Sequence, residues 1–494
     1  MPLLAHQKQY LIGPKPVLIR ADWLAVQMAQ DLVLSHCPKL RVQALRSKDG
    51  IACWLLGLAI PADDAAASIA DVFHLRTIEE IEGWTGFWAG KWLLVSAQRC
   101  WQDASGCLGV HWRRVNGDLW ISSSPALLGA HLPSAPESAR LPWRVVHEKG
   151  LDWIPVPLTT RADVYKLLPL RTVDPRDGST RPVHFMGAGP AMSGIGTFAD
   201  TLKAIMTNWE RAEFRERYVA LTAGLDTRTV LAAAAAAGID FRTFTLHLPH
   251  VPPCDRTLPP RIAARVGAPH ELRQLTPVSP ADAERRAAAI TEHMDGATFH
   301  PGSQYRMRFN DDLAGDSDRV IAHGACFELG RCFYWAKFSK SGIVAPPTDP
   351  DQILSAFTFR STWRPEPLEI WQQALRAWIA SLSQPLPLAL DWRDRFYLEQ
   401  RLAGWASNTQ RLSDLFESTF FYPANCLRII ELLLQFEPQE RVQGFAQKSA
   451  IDLLTPRLRK FPINPESISE KFKSAMRKVL RRKGVSRLRL NSRR

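Results

Sequence analysis

"YVALTAGLDTRTVLAAAAAAGIDFRTFTL", residues Tyr218 to Leu246, passes from an apolar stretch through a small-residue turn into an alanine-rich run, and then into a second apolar stretch. Tyr218 to Leu221 is a short buried strand. Thr227 to Ala237 is a helix of strong helix formers, and Gly238 is placed to end it. Phe241 to Leu246 is the next strand. The turn Thr222-Ala-Gly-Leu-Asp-Thr227 therefore sits at the carboxyl end of a strand and opens a helix, where open α/β sheets bind ligands. Ala223 and Gly224 let backbone approach a ligand closely. The helix start aims N–H groups and its positive dipole end at whatever lies there, and Thr222 and Thr227 add hydroxyls. Asp226 is out of place in a pure anion site unless it holds Mg²⁺ beside phosphates. The combination predicts a cradle for pyrophosphate and metal.

The pattern continues outward. Pro259 to Val266 reads as part of a second helix stopped by Gly267, and His270 to Leu275 as a third strand. Ser279-Pro280 supplies the N-cap and first-turn proline of another helix. This βαβαβ order implies a parallel sheet covered by helices. Residues 356 to 445 read as mostly helical. Upstream, residues 1 to about 130 read as short strands, with Asn116-Gly117 marking a hairpin. Residues 142 to 189 read as a linker or irregular segment.

The 494 residues, 46% hydrophobic and 22% charged, describe a folded chain of more than one domain and not a disordered one. The eight cysteines show no CxxC spacing of a zinc or redox site. No signal peptide and no membrane-spanning run is evident, so a cytoplasmic protein is expected. The net charge of +13 is concentrated: Lys471 to Arg494 carries 11 basic residues and no acidic one, which leaves about +2 for the rest. That basic tail is a solvated terminus or an arm for an anionic surface, an acidic peptide, a membrane or nucleic acid.

The Thr222–Thr227 turn resembles the SGGLDS pyrophosphate loop of the ATP pyrophosphatases, and among them the asparagine synthetase family. Ala223 and Gly224 stand for its glycine pair, Leu225 and Asp226 match, and threonines replace the two serines. The resemblance covers roughly residues 80 to 465. It implies ATP and Mg²⁺ as cofactors, with Leu221, Thr222, Ala223, Gly224, Leu225, Asp226 and Thr227 around the phosphates. Phe244, Thr245 and Leu246 would then read adenine, and Asp255, Ala263, Gly267 and His270 fill the family's next segment. Upstream, Asp103, Gly106 and Ala126-Leu127-Leu128 fit the end of the family's glutamine-hydrolysing domain, whereas Gln102 replaces its arginine. That domain uses a cysteine directly after the initiator Met; here residue 2 is Pro2 and the first cysteine is Cys37, so the nucleophile is expected to be absent.

The fold implied is α/β. An adenine-nucleotide α-hydrolase-like parallel sheet with a helical C-terminal part spans residues 191–470. An α+β sandwich resembling a degenerate Ntn-type glutaminase domain spans 1–190, and the basic tail follows at 471–494.

The family's second signature, SGEGADE, has one counterpart, Ala322 to Trp335, where Glu328 keeps the final Glu, Phe327 replaces the metal-binding Asp and Gly324 the substrate-side Glu. Glu328 is then a metal ligand beside Asp226 and a catalytic candidate, or it merely pairs with Arg331 three residues on. Glu292, Asp295 or Asp316 could compensate for the lost acids. The family's late lysine, which stabilises charge as an adenylate is attacked, corresponds to Lys460, with Lys448 second. The resemblance implies an ATP-dependent, AMP-forming carbon–nitrogen ligase. Its substrate would be a small-molecule or peptide carboxylate, and a partner protein could supply substrate or amine, as for lasso-peptide cyclases or amidating enzymes. The alternatives are a catalytically impaired nucleotide-binding scaffold or regulator, and a sulfur or tRNA modification enzyme.

Overall fold

A computed structural model describes residues 4–63, 68–133, 135–141, 153–185, 187, 193–247, 251–274, 277–295, 318–358 and 368–465. Twelve short strands come first: β1 (Tyr10–Gly13), β2 (Leu24–Ala29), β3 (Leu32–His36), β4 (Val42–Arg46), β5 (Ala52–Pro61), β6 (Trp88–Ser96), β7 (Cys100–Gln102), β8 (His111–Val115), β9 (Asp118–Ser122), β10 (Tyr165–Lys166), β11 (Arg171–Val173) and β12 (Thr180–Pro182). They form two antiparallel six-stranded sheets, in the orders β10-β8-β9-β1-β3-β2 and β12-β11-β7-β6-β5-β4. The two sheets face each other as a sandwich.

Strand β6 shows how the sandwich is built. Leu93 and Val95 point into the space between the sheets with Tyr10, Leu34 and Ile121. The alternate residues Trp92 and Leu94 pack on the other face with Trp84 and Phe73 from short helices. The period of two puts apolar residues on both faces, which is why every residue of β6 is buried. The β8–β9 hairpin turns at Asn116 and Gly117, whose φ values of 53° and 90° are the positive ones that such a two-residue turn needs. Within the segment 142–189, residues 165–182 hold more order than their prolines suggest: β10 extends one sheet, and β11 and β12 extend the other.

The second half is a parallel sheet of β13 (Glu216–Ala220), β14 (Arg242–His247), β15 (His270–Gln274), β16 (Arg319–Ala322) and β17 (Thr419–Phe421), in the order β15-β14-β13-β16-β17. Every neighbouring pair is parallel. The helix Leu225–Ala237 links β13 to β14, and Pro253–Val266 links β14 to β15. Gly238 and Gly267 end these helices in the left-handed conformation, at φ 71° and 79°. The alanine run has a packing reason. Ala232, Ala233 and Ala234 are fully buried, and small side chains let Leu225–Ala237 lie close to the helices Ile195–Arg211 and Phe445–Leu454. The fifth strand, β17, lies inside the segment whose sequence reads as helical; at three residues it is too short to register as a period.

The halves meet in one continuous apolar core, where Leu58, Ile60 and Ala89 of the sandwich join Phe198, Leu202 and Ile205. Asn425, fully buried after β17, pins this contact. Its Nδ2 donates to Gly90 O (2.6 Å) and Asp103 Oδ1 (2.7 Å), and its Oδ1 accepts from Ser105 N (3.0 Å). Asp103 in turn accepts from the N–H groups of Cys107 and Leu108, and Gly106 completes the turn at φ 65°. The Asp103–Gly106 turn that the sequence singles out is thus built around one buried carboxylate. No helix among the described residues is long and apolar enough to cross a membrane, and all eight cysteines are free thiols.

Candidate functional site

The strand order reverses direction between β13 and β16, and this is the crevice where doubly wound sheets take their ligands. Two segments leave the carboxyl ends of these strands side by side: the Thr222–Thr227 turn after β13 and residues 323–331 after β16.

The turn is internally braced. Thr222 N–H donates to Thr227 Oγ1 (3.1 Å), the two threonine hydroxyls are 3.0 Å apart, and Gly224 N–H donates to Thr222 Oγ1 (3.1 Å). Gly224 is the N-cap of the helix, so the first helical N–H groups, from Leu225 onward, have no acceptor within the helix. From behind, Arg228 holds the turn. It donates to Ala223 O (3.0 Å), Phe461 O (2.6 Å) and Pro462 O (2.9 Å), while Asn464 N–H donates to Ala223 O (3.2 Å). Burial lowers the pKa of this guanidinium; the three carbonyls take its Nη donors, while its buried Nε has no partner. Asp255, one of the residues the family comparison picks out, also reaches the turn: its Oδ1 accepts from Ala223 N–H at 2.6 Å.

Asp226 lies on the side facing residues 323–331. Arg331 Nη2 donates to its Oδ2 at 2.6 Å, and Gln447 Nε2 donates to its Oδ1. Burial raises the Asp226 pKa, opposed by Arg331 and Gln447. Glu328 stands on a short 3₁₀ turn, Phe327–Arg331. Its Oε2 is cut off from solvent with no hydrogen-bond partner, and burial, followed by the nearby charge of Asp226, pushes its pKa up to about 7. The ion pair of Arg331 is therefore with Asp226 and not with Glu328. Two buried carboxylates, one raising the pKa of the other and that other with an unused oxygen, are a donor set suited to a hard cation such as Mg²⁺. Asp226 and Glu328 would hold it, in place of the guanidinium that neutralises Asp226 here.

Gly324 explains why this chain has no acid at that position. A Cβ there would lie 2.7 Å from Thr227 N and 2.8 Å from Asp226 C, so any side chain would push the helix start away. Phe327 is fully buried in the main core and contributes packing. Glu292 and Asp295 lie elsewhere, against His6 and Arg161 respectively. Asp316 and the tail 471–494 lie outside the described residues.

The remaining expected residues divide. Leu221 is buried behind the turn, and its carbonyl accepts from Thr245 Oγ1 at 2.6 Å. Phe244 packs edge-on to Tyr218 beneath the Arg273 guanidinium, and Leu246 lies at the margin of that cluster. Ala263 is core, Gly267 is a helix cap, and His270 Nδ1 meets Thr243 Oγ1 on the neighbouring strand at 2.9 Å. Lys460 and Lys448 are both exposed, yet each directly adjoins a residue of the site: Phe461, which receives Arg228, and Gln447, which holds Asp226. Sequence reasoning missed Arg228, Arg331 and Gln447 in these roles. An arginine directly after the turn was the one visible signal, whereas Gln447 stands 221 positions away from its partner.

No protein-family model matches the chain, and no curated protein does. Among solved structures, the chain is similar to a glutamine-dependent NAD⁺ synthetase from Acinetobacter baumannii in complex with ADP (16% identity, 28% of each chain, TM-score 0.17). It is also similar to an NMN synthetase from Francisella tularensis (11% identity, 56% of this chain and 99% of the other, TM-score 0.19). A third is a glutamine phosphoribosylpyrophosphate amidotransferase from B. subtilis complexed with ADP and GMP (11% identity, 68% and 71%, TM-score 0.23). The chain spans little more than a quarter of the NAD⁺ synthetase. Overlaps this slight leave the fold to rest on the strand order itself: an α/β chain with a five-stranded parallel sheet and an antiparallel sandwich.

Two outcomes follow from the site. Gly324→Ala should lower stability by about 1–3 kcal/mol in urea unfolding, because the clash is with backbone; an unchanged midpoint would remove the close-packing argument. Glu328 sets a pH dependence. Its folded pKa of about 7 lies above the ordinary 4.5, so between these values the folded state holds the extra proton and stability falls as pH rises. Glu328→Gln should therefore match the parent near pH 4.5 and exceed its Tm above pH 7.

Proposed function

We propose that this chain is an ATP-dependent, AMP-forming carbon–nitrogen ligase. A carboxylate oxygen of the substrate attacks the α-phosphorus of ATP and pyrophosphate leaves. An amine then attacks the acyl carbon and AMP leaves, giving an amide. The observation that carries this reading is the meeting of two segments distant in sequence. The TAGLDT turn and residues 323–331 touch at Gly324 and through Asp226–Arg331, at the switch point of a parallel sheet.

In this reading Thr222, Ala223, Gly224, Leu225 and Thr227 cradle the pyrophosphate, with the helix N–H groups aimed at its charge. Phe244, Thr245 and Leu246 line the adenine side. Mg²⁺ held by Asp226 and Glu328 would supply positive charge against the phosphates. Lys460 stabilises negative charge as the acyl group is attacked. The boundaries 1–190 and 191–470 separate a sandwich from the nucleotide-binding part. The substrate is a small-molecule or peptide carboxylate, and the amine comes from the substrate itself, from ammonia or from a partner protein, as in a lasso-type cyclase working with a peptidase. The basic tail would serve to contact an anionic surface.

A nucleotide-binding scaffold without turnover is the second reading. It is favoured by Arg331, which takes the charge of Asp226, and by Phe327, which replaces an acid with a core residue. Calorimetry with ATP separates the two. The ligase reading expects Mg²⁺-dependent binding that Asp226→Asn weakens at least about tenfold, together with pyrophosphate release when a carboxylate substrate is added. Equal binding with and without Mg²⁺, in parent and variant alike, would favour the scaffold. Absence of ATP binding would end both.

A further inference from the structure

A second cluster of chemistry-bearing side chains lies outside the crevice, where the N-terminal turn meets the parallel-sheet half. His6 stands in that turn, His131 caps the C-terminus of the helix Pro125–Ala130, and Glu292 lies near the end of the helix Pro280–Met294. One ligand atom from each of the three falls within 4.8 Å of the others, and this is the one such group among the described residues.

The hydrogen bonds around His6 fix what it presents. Gln9, fully buried, turns its amide nitrogen toward His293, 3.3 Å from that residue's carbonyl oxygen, and so gives its Oε1 to His6 Nδ1 at 2.9 Å. An amide oxygen only accepts, so Nδ1 carries the proton. In the neutral ring Nε2 then offers a lone pair. His6 is 1% exposed, and this Nε2 makes no hydrogen bond, although Glu292 Oε1 is 3.2 Å away. A buried lone pair facing a carboxylate oxygen is unfavourable; a proton on Nε2 resolves it, and so does a metal cation shared by both, which can also recruit His131. The His131 ring stands edge-on at 5.1 Å between centroids, as two imidazoles on one metal do. His293, by contrast, is already satisfied: its Nε2 donates to Arg411 O at 2.9 Å and its Nδ1 accepts from His6 N–H at 3.0 Å.

We propose that His6, His131 and Glu292 form a binding site for a divalent transition-metal ion of the zinc class. Two imidazoles and a carboxylate suit Zn²⁺, with the fourth position left to water. Ligand bonds of about 2.0 Å in tetrahedral geometry place ligand atoms about 3.3 Å apart. The His6–Glu292 separation already meets that, and the 57% exposed Glu292 side chain provides the way in from solvent. Gln9 serves as the outer partner that orients the His6 ring. A metal here would tie the sandwich, through His6 and His131, to the helix that follows the third parallel strand.

The test uses the full chain, stripped with chelator and titrated with Zn²⁺ in a calorimeter, with Tm followed in parallel. One equivalent is expected to bind and to raise Tm. His131→Ala and Glu292→Gln, both at sites less buried than His6, should each weaken binding at least about tenfold and remove the Tm gain. Co²⁺ bound at the site should give visible ligand-field bands without thiolate charge transfer. No binding by the parent, unchanged affinity in both variants, or a thiolate signature marking cysteine ligation would each overturn the proposal.

Discussion

Everything at the crevice depends on β16 lying beside β13. The two strands pair in parallel, Glu216 opposite Arg319 through Val219 opposite Ala322. An ion pair between Arg319 and Glu216, 103 residues apart, closes the start of the pairing. The register then decides which residues leave the sheet together. One strand ends into Thr222–Thr227 and the other into His323–Arg331, and Gly324 fits because the helix start lies directly against it. A slip in this register would separate Arg331 from Asp226 and leave a buried charge without its partner.

The sandwich is joined to the sheet by buried polar groups as well as by apolar packing. Lys8 donates to the carbonyls of Phe416, Glu417 and Ser418, and Lys91 reaches Asp414 at 2.6 Å. Lys166 donates to Ala403 O and Ser407 Oγ. Burial brings the pKa of Lys8 down to about 8 and that of Lys166 to about 7. Such contacts add little net stability, since desolvation offsets most of the attraction, but each tolerates only one relative placement of the two halves. With Asn425 they hold the sandwich in register with the crevice. The stretch carrying Lys8, Gln9 and His6 therefore belongs to the interface and not to a loose end.

Much of this was legible because local chemistry agreed with the tertiary fold. The turn, the glycine caps Gly238 and Gly267, the Ser279 cap and the Asn116-Gly117 hairpin are short-range signals, and each lies where its chemistry places it. Asp255, which the family resemblance picks out, accepts a hydrogen bond from the Ala223 N–H of the turn. Long-range partners were not legible. Nothing near Asp226 in the sequence names Gln447 or Arg331, and the alternative in which Glu328 pairs with Arg331 is not the one found, since that guanidinium is bound to Asp226. β17 escaped notice because three residues carry no period, and the strands between residues 165 and 182 because prolines dominate their surroundings. Their order comes from sheet edges already in place.

The electrostatic balance of the turn decides what it can bind. Ala223 N–H is taken by Asp255, and the charge of Asp226 is taken by Arg331, so a phosphate arriving here would meet the N–H groups of the helix start and the two threonine hydroxyls. Hydrogen exchange read by mass spectrometry, with and without ATP and Mg²⁺, reports whether nucleotide occupies this crevice. Slowed exchange is expected in peptides covering 221–228, 244–246, 323–331 and 461–465, with the rest of the chain unchanged. Protection confined to other segments, or none at saturating nucleotide, would contradict nucleotide binding there.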